Sequence, residues 1–336
     1  MRSLIKSLAL LSFTLITAIL SCGCSQKETV VSKSGLYFDT IVNVTIYAPE
    51  NTMPENLADE CMNICEHYQQ LFDRNIPTSD IAKINAAGTD PLIVDHDTSL
   101  LLTEAIRYSE LSHGKFDITV SPLSKLWDFH GNSHRVPDAG KIHKAVSYID
   151  YRNIHVDPSS DIVSLASPYT AIDVGGIAKG YVADRIADHL REYSITGAII
   201  NMGGDMYLLG TKPDGSLFNI GINDPFSTES CIGSLYLSDT AVATSGIYER
   251  CFTLDGIRYH HILDTTTGMP ADTDIESVTV ISNSTTGSDS LCTICILLGS
   301  DEAMQLIDSL PDTEAVIILS DGSMQLSRNA DKYLRH

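Results

Sequence analysis

The spacing of apolar and polar residues changes along the chain, and each change marks an element. Leu8 to Leu20 is apolar apart from Ser12, Thr14 and Thr17, and it follows a basic start at Arg2 and Lys6. It runs into Ile19-Leu20-Ser21-Cys22, a short apolar core ending in small residues, as in a secretory signal. Phe38 to Ala48 alternates with period two and predicts a strand. Pro54 to Phe72 has helical spacing, and Leu71 to Thr78 reads as a loop. A short helix follows at Ser79, capped by Thr78 or Ser79, and another runs from Ser99 to Ser112 and stops at Gly114. Lys115 to Phe129 holds Pro122 and the lone Trp127 and reads as a loop packed on a core. Ala171–Val174, Gly175-Gly176, Ile177–Tyr193 and Gly197–Met202 read as strand, turn, helix and strand, an α/β unit. Helices from Gly287 to Leu298 and Ser300 to Leu310 precede a hairpin of Ala315–Leu319 and Met324–Ser327. Mixed elements with few clean alternations predict an α+β fold with mixed sheets flanked by helices.

The junction at Cys22 changes the picture of the N-terminus. Ile19 stands where a lipoprotein signal wants an apolar residue, so Cys22 is the expected lipidation site and Cys24 the alternative. The polar run after it reads as a tether. The expected organisation is a lipoprotein signal peptide at 1–22, a tether at 23–35 and one domain at 36–336. The expected location is a cell membrane, lipid-anchored on the extracytoplasmic face. Six cysteines lie beyond the signal; Cys61/Cys65 and Cys292/Cys295 fall on helical patterns and read as small buried hydrophobes. Export permits disulfides, and no pairing follows from spacing. With 43 acidic against 22 basic residues, the chain lacks the basic footprint of a nucleic-acid binder. An anionic ligand therefore needs local devices: backbone N–H groups, aimed cations or a metal ion.

Three segments hold candidate chemistry. Asp173-Val-Gly-Gly-Ile-Ala-Lys179 brings a glycine turn to a helix start, which suits a phosphate and equally suits a plain tight turn. Asp289 and Thr293 lie four apart on one helix face and can aim oxygens at a single Mg²⁺; a helix cap and a buried Thr are the alternative. His260-His261 with Asp264 near a turn suits an acid–base pair, with His261 the better candidate, or a structural His pair.

Taken in order, Phe116–Trp127, Ile172–Asp184, Asn201-Met-Gly-Gly-Asp205, Ala243–Arg250 and His261–Gly268 resemble the segments of ApbE-type FAD:protein FMN transferases, with Asp289 to Thr293 as the final metal segment. The resemblance runs from about Phe38 to Leu310 and implies an ApbE-like, T-fold-related architecture. It implies Mg²⁺ held by Asp289, Thr293 and the Gly176 carbonyl. FAD contacts fall to Phe38, Asn75, Phe116, Asp117, Asp173, Lys179 and Leu263. His261 is the implied base near the pyrophosphate, with Asp264 as its orienter. The partners so implied are FAD as substrate and exported or membrane-bound flavoprotein acceptors with a Thr or Ser hydroxyl. Phe38-Asp39-Thr40 replaces the usual Met-Gly-Thr, and Asp264-Thr-Thr-Thr-Gly lacks the usual proline. An Mg²⁺-dependent FAD pyrophosphatase and a non-catalytic flavin-binding lipoprotein are the competing readings.

Overall fold

The computed structural model describes residues 28–129, 131, 134–227 and 230–335. The expected signal peptide, Cys22 and Cys24 lie outside them. Strand β1 (Glu28–Tyr37) pairs antiparallel with β2 (Thr40–Pro49), from Glu28↔Pro49 to Tyr37↔Thr40. The tether expected through residue 35 is therefore strand from Glu28 onward. Its serines are compatible with an edge position, where Asn43 Nδ2 donates to Ser34 Oγ at 2.8 Å. The hairpin turns on Phe38 and Asp39, both left-handed at φ 53° and 56°. Such two-residue turns usually take Asn-Gly, and a left-handed non-glycine costs about 1–2 kcal/mol. Gln69 Oε1, accepting from Phe38 N at 2.7 Å, helps hold it.

Helix α1 (Leu57–Phe72) and the short α2 (Asp80–Ala87) follow, the latter capped by Ser79, whose hydroxyl accepts from Ala82 N at 3.0 Å. Strand β3 (Leu92–Ile93) leads to α3 (His96–Leu111). The loop expected at Lys115–Phe129 contains a helix, α4 (Ser121–Trp127). Pro122 starts it rather than breaking it, because first-turn N–H groups have no helical acceptor. Trp127 is packed as expected and donates to Gly268 O at 2.8 Å. Helix α5 (Ala139–Val146) and strands β4 (Ile154–Asp157) and β5 (Ile162–Leu165) complete a side layer. Ala171–Val174, expected as a strand, forms one isolated bridge, Val120↔Ala171. Ile118 O and the Asn85 amide hold it in place of a sheet neighbour.

After α6 (Ala178–Arg191), strands β6 (Gly197–Met202), β7 (Asp205–Gly210), β8 (Phe218–Asn223), β9 (Cys231–Leu237), β10 (Thr240–Gly246), β11 (Cys251–Leu254), β12 (Ile257–His260) and β13 (Ile275–Ser282) follow. Helices α7 (Thr285–Leu298) and α8 (Ser300–Ser309), then β14 (Glu314–Leu319), β15 (Met324–Leu326) and β16 (Leu334–Arg335), end the chain. The main sheet is antiparallel throughout, in the order β1-β2-β6-β7-β10-β13-β14-β15. Helices cover one face, where Val44, Ile200, Ala243 and Val280 meet Val182, Leu291 and Ile294. The sheet β16-β9-β8 covers the other, over Leu208, Val242, Ile281 and Val316. All eight residues of central β13 are consequently buried, and each fully buried aliphatic contributes about 1.5–3 kcal/mol. The hairpin β11–β12 packs apart, with Phe252 against Trp127. The α+β expectation holds.

Candidate active site

The site is built where α6 meets α7. Gly180 lets them touch: a Cβ there would stand 2.4 Å from Thr285 O and 2.8 Å from Thr286 Cα. Ser284 is the N-cap of α7, its hydroxyl accepting from Gly287 N at 3.3 Å, and Asp184, one turn after Gly180, supplements it. Its carboxylate accepts from Ser284 Oγ (2.8 Å), Thr285 N (2.7 Å), Thr286 N (2.9 Å) and Thr286 Oγ1 (2.6 Å). Asp289 is therefore not the cap of its helix. It is 3% exposed and accepts from Gly180 N at 3.1 Å. On the same helix only Thr293 and Leu298 escape full burial.

Lys179, in the first turn of α6, joins two buried carboxylates. Its Nζ lies 2.7 Å from Asp205 Oδ2 and 3.3 Å from both Asp289 oxygens. Burial pulls the ammonium toward neutrality, but Asp205 and Asp289 outweigh it and raise the Lys179 pKa. Burial, then the Asp289 charge, pushes Asp205 up to about 7 against the pull of Lys179. Two carboxylates against one ammonium leave this cluster short of positive charge.

The glycine turn adjoins the cluster. A Cβ on Gly176 would meet Phe116 Cε2 at 3.2 Å and Thr293 Oγ1 at 3.8 Å, so these three residues stand together. Asp173 shapes the turn by accepting from Gly175 N at 3.1 Å, and it pairs with Arg74 at 2.6 Å. Asn75, beside Arg74, is exposed. Phe38 lies at the tip of the first hairpin, whose Thr40 sits tightly against Gly203 in the turn before Asp205.

Three further expected residues make contacts within the protein. The Asp117 carboxylate joins its own loop to the turn at Tyr151, accepting from Thr119 N (2.7 Å), Thr119 Oγ1 (2.6 Å) and Tyr151 N (2.8 Å). Leu263 is buried with Leu123, Trp127 and Ile142. Asp264 is not the orienter of His261. Its Oδ1 accepts from Thr266 N (2.7 Å) and Thr267 N (2.9 Å), while Oδ2 pairs with Lys115 at 2.8 Å. The carboxylate thus shapes the turn that a proline would otherwise stiffen. Burial would raise its pKa, yet Lys115 and the two N–H groups hold it below the usual carboxylate value.

His261 follows β12 directly, and its N–H donates to Arg250 O at 3.0 Å. Its Nδ1 is buried and has no hydrogen-bond partner among the described residues. Burial, followed by the charges of Arg250, His260 and Lys179, pushes its pKa down to about 4. The imidazole is neutral at pH 7 and able to accept a proton. Sequence reasoning missed Arg74, Lys115 and the part played by Asp184. It saw Asp205 within Asn201-Met-Gly-Gly-Asp205 without giving it a role, since a Lys partner on another element leaves no mark in local spacing. Cys61, Cys65, Cys292 and Cys295 are buried, as expected, and they are free, as are the exposed Cys231 and Cys251.

The ApbE family model matches residues 38–317. A protein of Treponema pallidum (strain Nichols) named FAD:protein FMN transferase is 31% identical over 326 residues, spanning 91% of this chain and 89% of its own. One of the same name from Klebsiella pneumoniae (strain 342) is 33% identical over 304 residues, spanning 90% and 93%. The crystal structure of the ApbE protein of Thermotoga maritima superposes with a TM-score of 0.84 at 31% identity, over 92% of this chain and all of that one (100%). The flavin transferase ApbE of Vibrio cholerae gives 0.82 at 26% identity, over 91% and 99%. With the match spanning both the glycine turn and the helix of Asp289, this chain belongs to the ApbE family.

Proposed function

We propose that this enzyme transfers the FMN half of FAD to a Thr or Ser hydroxyl of an exported protein and releases AMP. One observation carries the reading: in a family whose named relatives are FAD:protein FMN transferases, Gly176, Thr293, Asp289 and Lys179 converge on one turn. The acceptor oxygen attacks the FMN phosphorus, and the bond to the AMP phosphate breaks. The hydroxyl proton passes to neutral His261, and AMP leaves with the bridging oxygen. The net charge of −21 would repel a phosphate, and Lys179 is already outnumbered by Asp205 and Asp289, so the site calls for a further cation.

The residues present fit a divalent cation. Among the described residues no three His, Cys, Asp or Glu side chains gather as a metal cage. Mg²⁺ does not require one, since it is commonly held by one or two carboxylates and substrate phosphates. Asp289, Thr293 Oγ1 and the Gly176 carbonyl are the protein oxygens that would hold it, and the carboxylate excess of the cluster favours it. When bound, it would neutralise the pyrophosphate and the charge growing on the bridging oxygen.

The test is incubation of the protein with FAD, Mg²⁺ and a candidate exported acceptor, read by mass spectrometry. A covalent FMN adduct is expected. Exposed Asn75 favours a second reading, in which water reaches the site and FAD is hydrolysed to FMN and AMP. Free FMN with no adduct would establish that hydrolase instead. Binding without turnover would leave a flavin-binding lipoprotein, a reading opposed by the presence of both His261 and Asp289. We propose further that Cys22 is lipidated and anchors the protein on the extracytoplasmic face of a membrane.

A further inference from the structure

Strand β13 is interrupted at Glu276. Ile275 pairs with Leu319 and Ser277 with Ile318, so the register shifts between them and Glu276 is the extra residue of a β-bulge. Bulges re-aim a side chain, and here the side chain is a carboxylate. Glu276 is 3% exposed. Both its oxygens are taken by one guanidinium: Arg258 Nη1 to Oε1 at 2.7 Å and Nη2 to Oε2 at 2.7 Å. Arg258 stands on β12, three residues before His261. Main-chain bonds extend the join. Ile247 N donates to Glu276 O at 3.1 Å, and Ala271 N donates to Ile262 O at 2.9 Å.

A buried ion pair contributes little net stability compared with a well-packed apolar pair. What the fork supplies is geometry, because two parallel bonds fix a guanidinium in angle as well as in distance. The hairpin β11–β12 is not hydrogen-bonded into the main sheet as a strand. Its placement therefore depends on contacts such as this one. We propose that Arg258, gripped by the bulged Glu276, is a positioning residue that sets where the His261 imidazole stands over the reacting phosphate. The inference rests on reading His261 as the base; Arg258 itself touches no reacting atom.

A double-mutant cycle on the full chain tests it. Transfer is measured at saturating Mg²⁺ for the wild type, Arg258→Lys, His261→Ala and the double variant. Lysine keeps the charge and loses the fork. Arg258→Lys is expected to lower kcat by about 10²-fold, the size of a misplacement near 1 Å. KM for FAD should stay within about twofold, since ground-state binding is untouched. In the His261→Ala background the same substitution should change kcat by less than about twofold, because the group it positions is gone. Equal losses in both backgrounds, or no loss in the wild-type background, would overturn the proposal. If His261→Ala alone leaves kcat unchanged, the base assignment fails first and takes the proposal with it. Should Arg258→Lys fail to fold, Glu276→Gln enters the cycle in its place with the same expected pattern.

Discussion

At the scale of single residues, environment decides chemistry. His260 and His261 are neighbours and each has a buried Nδ1 with no partner among the described residues, but the Nε2 of His260 lies 3.1 Å from Ala271 O. A base must be unprotonated to work, and the His261 pKa is lowered from 6.5 to about 4. Transfer rate should therefore stay level as pH falls through 6.5 and drop only toward about 4. An acid limb centred near 6.5 in the kcat/KM profile, which reports the free enzyme, would show that His261 is not the titrating base. His261→Ala should slow the chemical step by about 10²–10⁴-fold. His261 and Asp289 were legible in the sequence as members of an ordered set of segments resembling the family, since alone each fitted a structural role. The pairing of His261 with Asp264 was misread. A three-residue interval does not say which way each side chain points, and Asp264 turns to its own loop N–H groups and Lys115.

At the scale of elements, the decisive contact is α6 on α7. Gly180→Ala would drive a Cβ into backbone at Thr285 and Thr286, which cannot rotate away. Overpacking of this kind costs about 1–3 kcal/mol. Because α7 carries Asp289 and Thr293, the variant should both melt earlier and need more Mg²⁺ for half-maximal transfer. A lower Tm with an unchanged Mg²⁺ requirement would separate the packing from the site. The long helices were readable from their period, since about four turns of apolar spacing leave little ambiguity. Three segments were misread. Strand β1 alternates polar serines with few apolar residues because it lies at a sheet edge. Helix α4 is seven residues long and opens on Pro122. Ala171–Val174 has strand composition, but Asn85 and Ile118 take its hydrogen bonds.

At the scale of the molecule, a chain with a net charge of −21 opposes an anionic substrate, so the proposed site depends on a local cation. The α+β class and the site segments were legible because motif order survives across the whole length. The partners Asp205–Lys179 and Glu276–Arg258 were not, because they join distant segments. If Cys22 is the anchor, Cys22→Ala should move the protein from the membrane to the soluble fraction. Labelled fatty acid persisting on that variant would shift the anchor to Cys24. The central claim is that Asp289 ties a divalent cation to the FAD pyrophosphate for FMN transfer. It is tested most directly by transfer rate at saturating FAD across a Mg²⁺ titration. Asp289→Ala should give no adduct and no FAD hydrolysis at any Mg²⁺ concentration, whereas Thr293→Ala should only reduce the rate. Wild-type adduct formation by Asp289→Ala at low Mg²⁺ would contradict the account.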